Sequence, residues 1–195
     1  VVAGNASFSA NGTTGSFSIE ERNNPALDAH WAMEKVYDFY KNQLNRTSFD
    51  NSGGLIKNYI HFGKAYENAI WNGTAMCYGD GNGNELTPLV SVDIVGHEFS
   101  HAVIEKTANL FYQNESGALN ESFSDIFGTA IEFYASTSPN WTIGEDIVHI
   151  PPYYARSLKE PNTGIEGKPD TYQGDFWHEL IPSTYPVRED RKSVV

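Results

Sequence analysis

The chain of 195 residues has a single cysteine, few basic residues and no long apolar run. Because Cys77 has no possible partner within the chain, an internal disulfide framework is excluded. Lys and Arg total 13 against 25 Asp and Glu, a formal net charge of −12. Nucleic-acid binders normally carry a basic face, so we expect no nucleic-acid partner. No apolar run approaches the ~20 residues of a membrane span, so we expect no integral membrane segment.

Aromatic side chains are abundant, with 11 Tyr, 11 Phe and 4 Trp. A disordered chain would be poorer in aromatic residues, so a folded protein is expected. Its length fits one or two compact units and is enough to bury a core without disulfides. The acidic excess is explained most simply by solubility, and the alternative is that some carboxylates bind cations.

Apolar spacing predicts strands in the first half of the chain and helices in the second. The predicted elements are a hairpin within 1–24, strands over 55–62 and 74–78, and helices over 26–45, 90–106 and 116–135. This distribution suggests an α+β fold in two lobes. The last helix carries an apolar stripe that we expect to be buried. Its members are Leu119, Phe123, Ile126, Phe127, Ala130 and Phe133.

The segment VGHEFSHAV (95–103) carries two histidines four residues apart. On a helix, His97 and His101 share one face and lie one turn apart, so their nitrogens can bind one Zn²⁺. Glu98 points about 100° away around the axis, where it can reach a water and act as a base. The alternative is a pair of ordinary surface or core histidines.

A catalytic zinc site needs three protein ligands and one open position. The next predicted helix contains NESFSD (120–125), in which Glu121 would complete a His₂Glu set. Asp125 lies one turn further and could accept the free N–H of His97 or His101. The alternative is a solvated acidic patch near the start of a helix.

Five segments in the same order resemble the thermolysin-like zinc metallopeptidases, a family of neutral proteases. The resemblance covers about residues 26–177, and the spacing of 20 residues from His101 to Glu121 also fits. The segments are ENAIWNG (67–73), MCYGDGNG (76–83), VGHEFSHAV (95–103), YQNESGALNESFSDIFGTAIEFYA (112–135) and WTIGED (141–146). The resemblance implies a two-lobed zincin-like α+β fold. A β-rich N-terminal lobe and a mainly helical C-terminal lobe would flank the active-site helix.

The same resemblance implies a role for each matching residue. The implied zinc ligands are His97, His101 and Glu121, with Glu98 as general base and Asp125 behind the ligands. Tyr112 and Arg156 would stabilise the substrate carbonyl. Asn68 and Ala69 would bind the substrate backbone by strand addition. Leu89, Ile94 and Ile143 would line an apolar pocket for the residue after the scissile bond.

A structural Ca²⁺ is the second metal that the resemblance implies. The matching positions are Asp93, Glu132, Glu145, Asn140 and Thr142. Because Asn140 and Thr142 are neutral where the best-known members carry acids, we expect one Ca²⁺ rather than a pair. The alternative is that these acids are ordinary salt-bridging surface groups.

The motifs divide the chain into four parts. These are an N-terminal segment (1–25), a partial N-terminal catalytic lobe (26–95), the active-site helix with the start of a helical lobe (96–177), and an atypical tail (178–195). The tail resembles no family segment, and the sequence contains no DNGGVH-type segment with its oxyanion-binding histidine. We therefore expect an incomplete member of the family, and we hypothesise that its tail is frame-shifted.

The implied function is that of a secreted, monomeric zinc endopeptidase that cleaves proteins or peptides before bulky hydrophobic residues. One alternative is a zinc-binding but catalytically impaired fragment of such a protease. Another, from a different class, is an acidic secreted binding module without catalysis. Zinc content separates the binding module from the other two, and turnover separates the enzyme from the impaired fragment.

Overall fold

The computed structural model describes residues 24–171 and 175–177, in which three helices and five short strands occur. They are α1 (Pro25–Leu44), β1 (Asn58–Tyr59), β2 (Ala69–Trp71), β3 (Met76–Tyr78), α2 (Val92–Glu105), α3 (Asn114–Ala135), β4 (Thr142–Ile143) and β5 (Arg156–Ser157). The hairpin expected within 1–24 and the tail 178–195 lie outside the described residues. Within the described ranges, no helix has both the length and the apolar character needed to cross a bilayer.

Local sequence signals set both ends of α1. The Asn24 side chain caps the helix by accepting from the Ala26 N–H at 2.9 Å, and Pro25 suits the first turn because its missing N–H would have no helical partner. Asn45 closes the helix with φ at +51°, and its N–H donates to the Tyr40 carbonyl. The predicted helix over 26–45 is therefore confirmed within one residue at each end.

The sheet of the N-terminal half has the strand order β1–β3–β2. Its central strand, β3, pairs parallel with β1 and antiparallel with β2. The strand expected over 55–62 is reduced to β1, and the positive φ of His61 interrupts the extended chain soon after it. The strand expected over 74–78 is Met76–Tyr78, and β2 contains Ala69, which the resemblance implied as a residue that pairs with substrate. The position of β2 at the sheet edge matters for the site described below.

The central helix, α2, is buried on almost every side, with twelve of its fourteen residues inaccessible. Phe99 is fully buried and its ring centroid lies 5.1 Å from that of Tyr40 on α1. The Tyr40 hydroxyl lies 2.8 Å from Ser100 Oγ, which in turn donates to the Gly96 carbonyl at 2.7 Å. The HEFSH segment is thereby fixed in the middle of the core rather than on a flexible surface.

The third helix, α3, buries a polar face, and the predicted apolar stripe is wrong in its orientation. Leu119, Phe123 and Ile126 are 50, 44 and 46% exposed, and Phe133 is 43% exposed. Only Phe127 and Ala130 of that stripe pack against the core. The buried residues of α3 are Gly117, Asn120, Glu121, Ser124, Asp125, Gly128, Thr129, Ile131 and Glu132. The polar face turns inward because its side chains hydrogen-bond to the histidines of α2.

Two glycines allow α2 and α3 to touch through their backbones. A Cβ on Gly128 would lie 2.5 Å from the Asp93 carbonyl oxygen and 3.3 Å from the His97 amide nitrogen. A Cβ on Gly96 would lie 2.9 Å from Ile131 Cδ1 and 3.1 Å from Gly128 Cα. This approach brings short acidic side chains of α3 within reach of the α2 imidazoles.

The variant Gly128→Ala is expected to lower the free energy of unfolding by roughly 1–3 kcal/mol, although alanine is the better helix former by about 1 kcal/mol. It is also expected to weaken zinc binding, because the helices that carry the three expected ligands must separate. Urea denaturation and zinc titration measure the two effects.

Gly83→Ala is the matched control, because its added Cβ meets no atom within 4 Å and its cost comes from φ at +77°. We expect Gly83→Ala to leave zinc affinity unchanged. An equal zinc affinity for Gly128→Ala and the unmodified chain would show that the glycine contact does not position the ligands.

Candidate active site

Three potential metal ligands converge where α2 and α3 cross. In the described part of the chain, His97, His101 and Glu121 are the one group of three or more His, Cys, Asp or Glu whose ligand atoms lie within 4.8 Å of one another. The Nε2 atoms of the two histidines are 2.9 Å apart. The Glu121 oxygens lie 3.3 Å from His97 Nε2 and 3.4 Å from His101 Nε2.

These separations fit a tetrahedral zinc ion. Zinc–ligand bonds of about 2.0–2.1 Å place tetrahedral ligand atoms roughly 3.3–3.4 Å apart. Both distances from Glu121 to the histidines match this value, and the distance between the histidines is shorter. Two imidazoles and one carboxylate are also the donor set of catalytic rather than structural zinc sites.

The partners of the two imidazoles fix which nitrogens point into the site. His97 Nδ1 lies 2.6 Å from Asp125 Oδ1, and His101 Nδ1 lies 2.7 Å from Asn120 Oδ1. Since both oxygens accept, each Nδ1 donates a hydrogen and each Nε2 faces the site, where a proton or a metal ion lies between the two nitrogens. Asp125 therefore pairs with His97, and Asn120, which the sequence reasoning missed, is recognisable only as the first residue of NESFSD.

The electrostatics of the cluster also favour a cation. Burial lowers the pKa of His97, but the charges and hydrogen bonds of Asp125 and Glu121 outweigh burial and raise it to about 9. Burial raises the pKa of Glu121, yet its hydrogen bonds with His101 and His97 hold that pKa well below its usual range. Glu121 is therefore an anion inside the core, and the site attracts positive charge.

Arg156 links Asp125, the partner of a ligand, to Glu166 in the wall of the cleft. It stands opposite Ile143 in the β4–β5 pair. Its Nε and Nη2 donate to the two oxygens of Asp125, each at 2.8 Å, and its Nη1 donates to Glu166 Oε2 at 2.6 Å. Burial raises the pKa of Asp125, but Arg156 and His97 hold it well below its usual range. Glu166 was not predicted, and no sequence signal singled it out.

Glu98 and Tyr112 both lie close to the three ligands. Glu98 is 2% exposed and lines a cleft together with His97. The Tyr112 hydroxyl donates to Glu121 Oε1, and its ring centroid lies 6.0 Å from that of His101. Burial and the Glu121 carboxylate raise the pKa of Tyr112, so its hydroxyl remains a proton donor.

The cleft has an apolar floor, and two of the three residues predicted for it are found there. Leu89 and Ile94 line the cleft, whereas Ile143 does not. Ile143 is 1% exposed and packs in the core beneath, and Ile147 and Val148 line the cleft instead. The role of Ile143 in the pocket stays a prediction.

Asn68 and Ala69 form part of the cleft wall at the edge of the sheet. Ala69 begins β2, and the Asn68 carbonyl accepts from the Gly79 N–H at 3.0 Å on the inner side. Because β2 is an edge strand, its outer backbone groups can pair with an extended peptide. Asn68 and Ala69 thus lie at a sheet edge, and their role in binding the substrate backbone stays a prediction.

The five residues expected to bind calcium are linked where α2 and α3 meet the loop before β4. Asp93 Oδ2 accepts from the Gly144 N–H at 2.6 Å. Glu145 accepts from Asn140 Nδ2 at 2.7 Å and from Thr142 Oγ1 at 3.0 Å. Their ligand atoms do not form a group as close as the zinc ligands.

Glu132 is the carboxylate of this second cluster that the described residues satisfy least. Its Oε1 accepts from the Asn140 N–H at 3.3 Å, while its buried Oε2 has no hydrogen-bond partner within the described residues. Burial first, and then the charges of Glu145 and Asp93, raise the pKa of Glu132 to about 7. Burial and Asp93 also raise the pKa of Asp146, which the sequence reasoning missed beside Glu145 in WTIGED. The residues fit a hard cation with oxygen ligands.

This geometry defines the class of protein. One helix carries two histidines with a glutamate between them, and it faces a glutamate ligand on the next helix. That is the arrangement of the zinc metallopeptidases. The family model described as thermolysin metallopeptidase, catalytic domain, matches residues 3–105. The model described as thermolysin metallopeptidase, alpha-helical domain, matches residues 108–192. The chain belongs to the thermolysin metallopeptidase family.

Similarity to individual proteins also supports membership of this family. Thermolysin of Alicyclobacillus acidocaldarius subsp. acidocaldarius is 50% identical over 150 residues, covering 75% of this chain and 27% of the relative. Bacillolysin of Bacillus amyloliquefaciens is 43% identical over 173 residues, covering 88% of this chain and 31% of the relative. The chain thus spans about a quarter to a third of the curated relatives.

A solved structure described as the precursor of protealysin, a metalloproteinase from Serratia proteamaculans, has the same fold. The match has a TM-score of 0.67 and 35% identity, and it covers 76% of this chain and 48% of that chain. Together with the family models it confirms the α+β, two-domain peptidase fold expected from the resemblance.

The family matches extend beyond the range that the motifs indicated. Similarity was expected over about 26–177, but the two models reach residue 3 and residue 192. The expectation that 178–195 resembles nothing in the family is therefore wrong for most of that tail. The models meet between 105 and 108, after α2, whereas the lobe boundary that we placed at 95 and 96 stays a prediction.

We expect the chain to bind one zinc ion, because three donors converge on one point. His101→Ala should lower zinc affinity by more than the 10–100-fold expected when Asp125→Asn disturbs only the partner of a ligand. Competition titration against a zinc-sensitive dye measures both effects.

His149→Ala provides the matched control, because His149 is exposed and lies outside the cluster. It should retain the full zinc affinity. Equal losses in His101→Ala and His149→Ala would contradict the assignment of the site.

Proposed function

We propose that this protein is a zinc-dependent endopeptidase that cleaves internal peptide bonds before bulky hydrophobic residues. The supporting observation is that Glu98 lines an apolar cleft beside His97, where the three ligand atoms converge. Family membership supports the same reaction class. The chain covers about a quarter of the length of the relative named thermolysin. We therefore propose the activity of this chain and do not transfer it from that relative.

His97, His101 and Glu121 would hold the zinc ion. Zinc supplies Lewis acidity that polarises a peptide carbonyl and acidifies water at the site. Glu98 is the general base, which accepts a proton from the attacking water and delivers it to the leaving nitrogen. Burial of Glu98 suits this role because the site excludes competing water.

Tyr112 and Arg156 are the proposed donors to the oxygen that becomes negative as the carbonyl is attacked. The raised pKa of Tyr112 keeps its hydroxyl protonated, as a donor must be. Arg156 is oriented by three hydrogen bonds to Asp125 and Glu166, so its guanidinium loses little rotational freedom on binding substrate.

The substrate is proposed to bind as an extended strand along β2. Its backbone would pair with Asn68 and Ala69, and the side chain after the scissile bond would enter the floor formed by Leu89, Ile94 and Val148. An apolar floor favours Leu, Ile, Val or Phe at that position.

A zinc-binding but catalytically impaired protein is the second candidate, and one observation favours it. In the described residues, the outer face of α3 exposes Leu119, Phe123, Ile126 and Phe133. Because each of these side chains is about half exposed, each forfeits roughly half of the 1.5–3 kcal/mol that full burial contributes. Family membership further supports the proposals that the protein is secreted and that peptides are its substrates, and a monomeric state stays a prediction.

We also propose that one Ca²⁺ binds Asp93, Glu132 and Glu145, with Asn140 and Thr142 as neutral neighbours. The buried, unpartnered Oε2 of Glu132 supports this site. Burial first, and then the nearby charges of Glu145 and Asp93, raise the pKa of Glu132, which a bound cation would offset.

Glu98→Gln is expected to reduce hydrolysis of a quenched peptide containing Gly-Leu by about 10²–10⁴-fold, because it removes the base and leaves the ligands in place. Zinc content should remain at one per chain. Glu160→Gln, an exposed acid outside the cleft, should retain full activity.

Equal activity in Glu98→Gln and the unmodified chain would remove Glu98 as the base. Zinc binding with no turnover in the unmodified chain would favour the impaired candidate instead.

Calcium is expected to raise the thermal midpoint more at pH 8 than at pH 6. The pKa of Glu132 is raised to about 7, so without calcium its contribution to stability is present at low pH and is lost as the pH rises through 7. Calcium reverses this loss because it binds the ionised form. Thermal melts with calcium or EDTA at each pH measure the shift.

Glu132→Gln should abolish most of the calcium-induced shift, whereas Glu160→Gln should preserve it. A calcium shift that is the same at both pH values, or that survives in Glu132→Gln, would contradict the assignment.

A further inference from the structure

We propose that Ile165 determines which apolar side chain the cleft accepts after the scissile bond. Its side chain restricts the space above the floor, so that the cleft selects leucine over phenylalanine at that position. This inference rests on the proposed function and narrows its substrate class from apolar side chains in general to aliphatic ones. Ile165 is neither a zinc ligand nor one of the groups proposed to carry out the reaction.

The cavity in the cleft is small. Its volume is about 40 Å³, whereas pockets that enclose a drug-sized ligand measure about 300–1,000 Å³. Since a cavity needs roughly 10–15 Å³ to hold one water molecule, this cavity has room for about three. A leucine side chain therefore fits only closely, and a phenylalanine ring enters only if a residue that lines the cleft moves aside.

The floor of the cleft cannot supply the extra space. Its apolar side chains belong to the hydrophobic core, and each of them is at most 7% exposed. They are Leu89, Ile94, Ile147, Val148 and Ala155. Because protein interiors are close-packed, moving any of these side chains would disturb the packing of the core itself.

Ile165 differs from the floor residues because it lines the same cleft but lies outside the core. It is 39% exposed, and among the described residues it is not a member of the core cluster. Its side chain can therefore rotate without opening the core. Since a β-branched side chain has few favourable χ1 values, rotation makes a limited amount of space rather than clearing the cleft.

The backbone on either side of Ile165 is fixed against the floor. The Ile165 N–H donates to the Tyr154 carbonyl at 3.2 Å, and the Glu166 N–H donates to the Ala155 carbonyl at 2.9 Å. Gly164 permits this approach, because its φ is +91° and an added Cβ would lie 2.2 Å from the Ala155 carbonyl oxygen. The segment is therefore held in place, and the space above the floor depends on the side chain of Ile165.

The test compares leucine with phenylalanine after the scissile bond. Two fluorescent peptides that differ only in this residue are titrated into the zinc-loaded Glu98→Gln chain, and kcat/KM for both is measured with the unmodified chain. We expect the leucine peptide to bind roughly 10-fold more tightly than the phenylalanine peptide, because a misfit of even one methylene in an apolar pocket has an effect of this size.

In the Glu98→Gln background, adding Ile165→Ala should bring the leucine-to-phenylalanine binding ratio close to one. Adding Ile165→Val, a smaller truncation, should give an intermediate ratio. Ile126→Ala is the matched control, because Ile126 is 46% exposed on the outer face of α3 and does not line the cleft. It should leave the ratio unchanged.

Four results would each overturn the role of Ile165. They are a ratio near one with Ile165 intact, a tighter-binding phenylalanine peptide, a ratio that Ile165→Ala changes no more than Ile126→Ala does, and no binding of either peptide.

The two proposals fail in different ways. A leucine preference in binding that Ile165→Ala removes, without hydrolysis by the unmodified chain, would support the role of Ile165 and contradict the proposed function. Hydrolysis of both peptides, with a binding ratio that is insensitive to Ile165→Ala, would support the proposed function and overturn the role of Ile165.

Discussion

The close contact between α2 and α3 is the constraint on which the rest of the structure depends. Gly96 and Gly128 leave no room for a side chain between the two backbones. At this separation the short carboxylates of Glu121 and Asp125 reach His97 directly, at 3.3 and 2.6 Å. A wider crossing would leave ionised carboxylates buried without partners, which costs more than losing ordinary packing contacts.

The same contact accounts for the unusual orientation of α3. A helix normally turns its apolar stripe toward the core, yet here Asn120, Glu121 and Asp125 face inward because each bonds to an imidazole or a guanidinium. The inward charges are therefore matched: His97 and Arg156 hold the pKa of Asp125 low despite its burial. The acidic group around Glu132 is the contrasting case. Among residues 24–171 and 175–177 its carboxylates have no cationic partner, and burial together with the charges of Glu145 and Asp93 raises the pKa of Glu132 to about 7.

Sequence reasoning succeeded for features that a local signal determines. It failed for features that depend on contacts between distant segments, such as which face of a helix is buried. The α1 helix followed from the apolar spacing over 26–45, and the ligand set followed from the four-residue spacing in HEFSH and the acids in NESFSD. The orientation of α3 could not be predicted from apolar periodicity, because hydrogen bonds to another helix outweighed that pattern. Asn120 and Glu166 were missed for a related reason: an amide and a surface acid acquire their roles only through side chains that lie far away in the chain.

A single buried group, Asp125, couples the metal ligands to the substrate cleft. Its Oδ1 accepts from His97 Nδ1 and from Arg156 Nη2, and its Oδ2 accepts from Arg156 Nε. Arg156 in turn orients Glu166 at the cleft wall. Since these bonds share one carboxylate in a low-dielectric interior, moving any member changes the field at the others. The charge that orients a metal ligand therefore also fixes the guanidinium that holds Glu166 at the cleft wall. The metal ligands and this wall of the cleft then depend on the same buried network rather than on two independent sets of contacts.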